Sequence, residues 1–212
     1  MRRREFTLHL AAASLSLSGA ARAQGAPVEG THFIRLQQPV PVAVTPGKFE
    51  VIEFFGYWCP HCNALERTLE AWAKQLPADV VLRRMPVAFN AAHEPYQRIY
   101  FALETMGLVE TMHRKVFSAI HGQQKRLDKE PEIVAFMVAN DVDGAKFSDA
   151  YKSFTVQTRV RQAKQLVEAY RVDSVPMMSV NGRYTTSASS AGSNEAALQV
   201  VDYLVLRARK TG

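Results

Sequence analysis

Two cysteines, Cys59 and Cys62, are the only ones in the chain, and they sit in the stretch FFGYWCPHCNALE, residues 54–66. Two residues separate them, a proline and a histidine. Four chemistries use cysteines in this way: a structural staple, half of a zinc site, a cysteine hydrolase, or a reversible dithiol–disulfide couple. A staple stabilises by closing a loop in the unfolded chain, and this bridge would close almost none. Zinc takes about four ligands. No second cysteine pair exists, and His32, His93, His113 and His121 show no ligand spacing with the first. A Cys–His hydrolase has no use for the second thiol. The pattern therefore points to thiol–disulfide exchange, with no cofactor beyond the Cys59–Cys62 disulfide itself.

The local pattern says how such a pair would be tuned. EVIEFFGYW (50–58) is apolar on both faces and reads as a buried, central strand. Leu65, Leu69, Trp72 and Leu76 then recur at helical spacing, and Pro77 closes the run. Pro60 suits the first helical position, which places Cys59 at the N-cap. Unpaired N–H groups and the helix dipole stabilise a thiolate there. Cys62 lies one turn deeper, and His61 either adds a donor or a positive charge or is a solvated loop residue. Stabilising the thiolate stabilises the reduced form, so the disulfide is given up readily.

DVVLRRMPVAF (79–89) completes a strand–helix–strand unit. THFIRL (31–36) reads as a short first strand, followed by an extended connection with three prolines. Between His93 and Tyr170 the pattern is helical throughout, including a stripe at Val156, Val160, Ala163, Val167 and Tyr170. Strand character returns over 175–187, where Asn181-Gly182 marks a hairpin, and a last helix covers 194–210. The fold class expected is α/β with a central sheet. The expected division is 1–23, 24–90, 91–170 as a helical insertion, and 171–212.

Residues 1–23 differ from the rest. Arg2, Arg3 and Arg4 precede a short Leu/Ala/Ser-rich run that ends in Ala21-Arg22-Ala23, a small-x-small cleavage pattern. This reads as a cleaved export signal, of the ordinary secretory or the twin-arginine type. The segment carries four arginines against one glutamate, half of the formal net charge of +6. The remainder forms no basic stripe interleaved with aromatics, so no nucleic-acid partner is expected. The composition, 47% apolar and 22% charged over 212 residues, suits a folded domain with a sizeable core.

VIEFFGYWCPHC and VDSVPMMSVNGRY together resemble the DsbA family of bacterial periplasmic thiol oxidases. The resemblance spans essentially everything after the signal. It implies a thioredoxin-like fold with an inserted helical domain. It implies a monomer in the periplasm that oxidises unfolded exported proteins and is itself re-oxidised by a DsbB-type membrane partner. It also assigns residues. Pro176 would be a cis-proline facing Cys59, with Val175 and Met177 beside it as backbone and apolar contacts for an extended substrate. The alternative for Pro176 is a trans turn. Glu53 matches a buried acid beneath the disulfide, and Arg84 stands where many members carry lysine. Two readings of Glu53 stay open: a proton acceptor for Cys62, or a structural ion pair with Arg84. Other functions on the same fold are a thiol reductant or disulfide isomerase, and a chaperone-like peptide-binding module. An isomerase of this type usually adds a dimerisation domain, for which the roughly 25 residues before the central strand leave no room.

Overall fold

The computed structural model describes residues 25–211; the export signal expected over 1–23 lies outside the described residues. Among those residues, five strands form one mixed sheet. They are β1 (Ile34–Arg35), β2 (Phe49–Phe55), β3 (Val80–Pro86), β4 (Met177–Val180) and β5 (Tyr184–Thr186), in the order β1-β5-β4-β2-β3. Only β2 and β3 run parallel; the other neighbours are antiparallel. The first strand is shorter than THFIRL suggests, because residues 30–32 form a turn, with the Gly30 N–H donating to the Phe33 carbonyl at 2.8 Å. β2 ends at Phe55, three residues early, because the chain must turn at Gly56 to enter the helix.

β2 is buried along nearly its whole length, between β3 and β4. Its alternation sends Ile52 and Phe54 to one face and Val51, Glu53 and Phe55 to the other. Helix α1 (Pro60–Ala73) covers the Val51 face together with α8 (Asn194–Thr211), packing Leu65 and Leu69 against Val51, Val180, Val201 and Leu204. The α1 stripe outlasts the α-helix. Pro77 disfavours α geometry at Leu76, so the last turn tightens, with Leu76 N–H donating to Ala73 O.

Five helices lie between β3 and β4: α2 (Glu94–Thr105), α3 (Val109–Phe117), α4 (Glu130–Val138), α5 (Gly144–Lys152) and α6 (Phe154–Ala169). They bury Ile99, Met112, Phe117, Phe147 and Val156 in one continuous cluster with Phe54 and Phe55. α3 does not stay α-helical to Gly122. Ser118–Gly122 widens into a π turn, which orients His121 for a contact described below. In the β4–β5 hairpin Asn181 and Gly182 both have positive φ, 49° and 65°, as a primed turn requires. Gly182 is also obligatory by contact, since a Cβ there would lie 1.9 Å from the Val40 carbonyl oxygen. A short helix not anticipated from the sequence, α7 (Ala188–Ala191), is nucleated by a Ser187–Ser190 capping box.

Candidate active site

The end of β2 delivers the cysteines. Gly56 begins the turn, and any larger residue would have to displace the Trp58 indole, because a Cβ would lie 2.5 Å from its nitrogen. The Cys59 N–H bonds back to Gly56 O at 3.0 Å. Cys59 is the N-cap of α1 with Pro60 next in the helix. Its sulfur accepts from the Cys62 backbone N–H at 3.4 Å, the contact an N-cap serine or threonine oxygen would make. Both cysteines are free thiols. Both are buried, Cys59 at 3% exposure and Cys62 fully, so Cys59 is less open to solvent than an N-cap position suggests.

The two thiols are driven apart in acidity. Cys59 is lowered to about 6, first by the hydrogen bond it receives from the Cys62 side chain, then by the N–H groups of Cys62 and His61 and the field of His61. Burial opposes these. The Cys62 thiol moves the other way, far above the usual range, mainly through burial and its donation to Cys59; the nearby Glu53 adds to this. Gly56 N–H lies 3.5 Å from the Cys62 sulfur and works against that rise. The side chain of His61 is exposed.

The Val175–Pro176 peptide bond is cis. The Val175 carbonyl lies 3.3 Å from the Cys59 sulfur, within reach of the thiol proton, so the residue before the cis bond abuts the nucleophile. Met178 is core and Met177 is half-buried. On the other flank, Trp58 stacks on His93 at 3.8 Å between centroids, with Phe89 edge-on to the indole.

Beneath the cysteines lies a buried polar cluster. Glu53 and Arg84 are directly opposed across β2 and β3, with Arg84 Nε 3.2 Å from Glu53 Oε2. The distance suits a hydrogen bond but the orientation does not, and neither Glu53 oxygen nor Arg84 Nε has a hydrogen-bond partner. Arg84 instead donates through Nη2 to Glu66 Oε2 at 3.2 Å. Glu66 also meets His113 Nε2 at 3.0 Å, and His113 Nδ1 meets the Tyr57 hydroxyl at 2.7 Å. Burial, with the charge of Glu66, raises Glu53 well above the carboxylate range, and Arg84 only partly offsets it. Burial would raise Glu66 too, yet His113 and Arg84 hold it low. His113 is itself lowered by burial and is therefore neutral at pH 7. It acts on Glu66 as an N–H donor rather than as a cation, and Arg84 supplies the positive charge. Burial keeps the proton on Tyr57. The proton order that satisfies every group is Tyr57 O–H to Nδ1 and Nε2–H to the Glu66 carboxylate.

The residues singled out by sequence, Glu53, Cys59, Pro60, His61, Cys62, Val175, Pro176 and Met177, all belong to the end of β2, the cap and first turn of α1, or the loop into β4 and the first residue of that strand. Glu66, His113, Tyr57 and His121 lie beyond what the spacing predicts. Glu66 carries a visible signal: it stands four residues after Cys62 on the same helix face. His113 sits among Met112, Val116 and Phe117 on the buried face of α3, a polar residue on an apolar stripe. His121 donates to the Tyr57 carbonyl at 2.7 Å, and only the π turn aims it there. Among the described residues no group of three or more His, Cys, Asp or Glu side chains is arranged to hold a metal ion.

Comparison with known proteins bears on the same elements. Residues 84–199 match the family model for a DSBA-like thioredoxin domain. A thiol:disulfide interchange protein DsbA of Bordetella parapertussis is 44% identical over 210 residues, covering 97% of this chain and 98% of that protein. The protein of the same name from Pseudomonas aeruginosa is 40% identical over 197 residues, 93% of each chain. The crystal structure of Pseudomonas aeruginosa DsbA superposes with a TM-score of 0.84 at 39% identity, covering 87% of this chain and 96% of that one. The oxidoreductase DsbA from Xylella fastidiosa gives 0.81 at 30% identity, covering 87% and 98%.

Proposed function

This chain belongs to the DsbA family of thiol:disulfide oxidoreductases, with a thioredoxin-like fold and a redox-active cysteine pair, and from that premise we propose that it is an oxidant. It donates the Cys59–Cys62 disulfide to unfolded proteins newly exported to the periplasm. The observation that carries this reading is the split between the two thiols, Cys59 held at about 6 and Cys62 pushed far up. A reduced form with a stabilised Cys59 thiolate is a good product, so its disulfide is a good electron acceptor.

In the proposed cycle a substrate thiolate attacks Cys59 Sγ, and the Cys59–Cys62 bond breaks. The electron pair goes to Cys62, which takes a proton. Glu53, protonated by its burial, supplies it, and accepts it back in the reverse direction. A second substrate thiolate then attacks the substrate sulfur of the mixed disulfide. Cys59 leaves as a thiolate held by the N-cap, and the substrate departs as a disulfide. The two substrate thiols have given up two electrons and two protons: the electrons stay on the enzyme as the Cys59 thiolate and the Cys62 thiol, one proton restores Glu53, and the other goes to solvent. A DsbB-type membrane partner takes the electrons away.

The stretch 175–177 is the proposed substrate platform, because the Val175 carbonyl already lies 3.3 Å from the attacked sulfur. The proposed division places the thioredoxin-like unit at 24–90 and 171–212 and the inserted helical unit at 91–170, since among the described residues every strand lies outside 91–170 and α2–α6 lie within it. Among the described residues no helix is long and apolar enough to cross a membrane.

The test is catalytic oxidation of a reduced, unfolded model protein by the disulfide form. Substrate disulfides should form stoichiometrically with enzyme dithiol. A protein that binds the model without oxidising it, or only reduces disulfides, contradicts the proposal.

A further inference from the structure

The cluster beneath the cysteines holds two buried carboxylates and one buried guanidinium. One negative charge balances Arg84; a second would be unpaired in the core, so one carboxyl must keep its proton. Which one is a question of donors. Glu53 has none on either oxygen. Glu66 has two, Arg84 Nη2 at 3.2 Å and His113 Nε2 at 3.0 Å. Arg84 alone does not decide the matter, because its Nε stands 3.2 Å from Glu53, as close as its Nη2 stands to Glu66. The donor that breaks the tie comes from α3, outside the strand–helix–strand unit that bears the cysteines.

We propose that His113 is a positioning residue for the dithiol reaction: by donating Nε2–H to Glu66 it fixes the buried charge there and leaves the proton on Glu53, where Cys62 needs it. Tyr57 completes the device. Its hydroxyl lies 2.7 Å from Nδ1 and can donate to it, which keeps that nitrogen an acceptor while the Glu66 carboxylate, an acceptor only, takes the proton-bearing Nε2. Tyr57 is two residues before Cys59, and His121 holds its carbonyl at 2.7 Å. The turn carrying the nucleophile and the donor that places the charge are thus locked to each other. The other groups facing the imidazole do not substitute for it. Phe55, Tyr100 and Phe117 present ring edges, with centroids 5.2, 5.9 and 5.2 Å away. Arg84 and Glu70 act on it through charge alone. Glu110 and Arg114 lie beside it on its own helix.

This inference rests on the dithiol chemistry above, but its test reads the carboxyl proton and not turnover, so the two fail separately. The probe is the side-chain carboxyl carbon of Glu53 in the dithiol protein at pH 7, read by carbon-13 NMR and assigned by its loss in Glu53→Gln. In the wild type it should carry the shift of a protonated acid. In His113→Phe, which has no donor, it should move toward the carboxylate shift, with its titration moved down by about one pH unit, a tenfold change in proton affinity, while the Glu66 carbon moves the opposite way. The wild-type shifts should return in His113→Gln, whose amide offers Glu66 an N–H again. A folded His113→Phe with the wild-type Glu53 shift overturns the proposal, and so does a His113→Gln protein whose Glu53 has lost its proton. Nitrogen NMR of the wild type needs no variant and decides the case if His113→Phe does not fold: the proton must be on Nε2, and a proton on Nδ1 overturns the proposal.

Discussion

Lowering the pH should weaken the dithiol form of this protein through one group, Cys59. Its thiol titrates at about 6 in the fold against 9.0 when unperturbed. A folded pKa below the unfolded one contributes stability that is complete above the unfolded value and is lost as pH falls through the folded value. The window is therefore about pH 9 down to about pH 6. Three units at 1.36 kcal/mol give about 4 kcal/mol at the alkaline end. At pH 7 about 1.4 kcal/mol remains, and at pH 5 less than about 0.1 kcal/mol. His61, one of the groups that act on the thiolate, is exposed and screened by solvent, so about 1 kcal/mol at pH 7 is the realistic figure. The assay is urea unfolding under reducing conditions, wild type against Cys59→Ala, at pH 5 and pH 7. The packing cost of alanine is the same at both pH values, and the titrations of Glu53 and His113 are common to both proteins. The gap between the midpoints should widen from pH 5 to pH 7 by about 0.5 M urea, for a slope near 2 kcal/mol/M. The disulfide form, in which Cys59 has no proton to lose, should show no such widening relative to its own pH 5 value. A constant gap in the dithiol protein would refute the claim that the N-cap and its neighbours stabilise this thiolate.

Cys62→Ser should accumulate mixed disulfides with substrates on non-reducing gels, because Cys59 is the attacked sulfur and nothing resolves it from within; Cys59→Ser should accumulate none. His61→Ala should raise the Cys59 pKa by less than about one unit, read from thiolate absorbance against pH, since the backbone N–H groups that contribute more are untouched. Arg84→Met leaves the Glu53–Glu66 pair with no cation and should destabilise by about 3–5 kcal/mol, measured as unfolding free energy at pH 7.

The parts of this site that sequence reveals are those assembled locally. The cysteine spacing, Pro60 at the helix start and the buried strand before them lie within a few residues of one another, so their geometry follows from helix and strand periods. The hairpin at Asn181-Gly182 is legible for the same reason, since positive φ at both turn residues is a local demand. Glu53 and Arg84 were visible as a buried acid and a charge on neighbouring strands, and the register sets them face to face. Their energetic relation was not visible, because it depends on Glu66, which takes the hydrogen bond from Arg84. Tyr57, His113 and His121 were illegible as partners. Their contacts join residues 56 and 64 positions apart, and only packing of the α3 segment against the turn brings them together. A histidine on an apolar helix stripe signals a buried partner without naming it. The widening at Ser118–Gly122 has no sequence signature that helical periodicity can detect.

The central claim is that the Cys59–Cys62 couple is an oxidant, and its equilibrium potential against the glutathione couple at pH 7 tests it most directly. The stabilised thiolate alone, about 1 kcal/mol at pH 7, moves the couple about 20 mV in the oxidising direction relative to an untuned pair. Equilibration in glutathione buffers, with the dithiol and disulfide forms separated by alkylation, should give a potential more oxidising than that of glutathione. A potential equal to that of glutathione, or more reducing, would contradict the account.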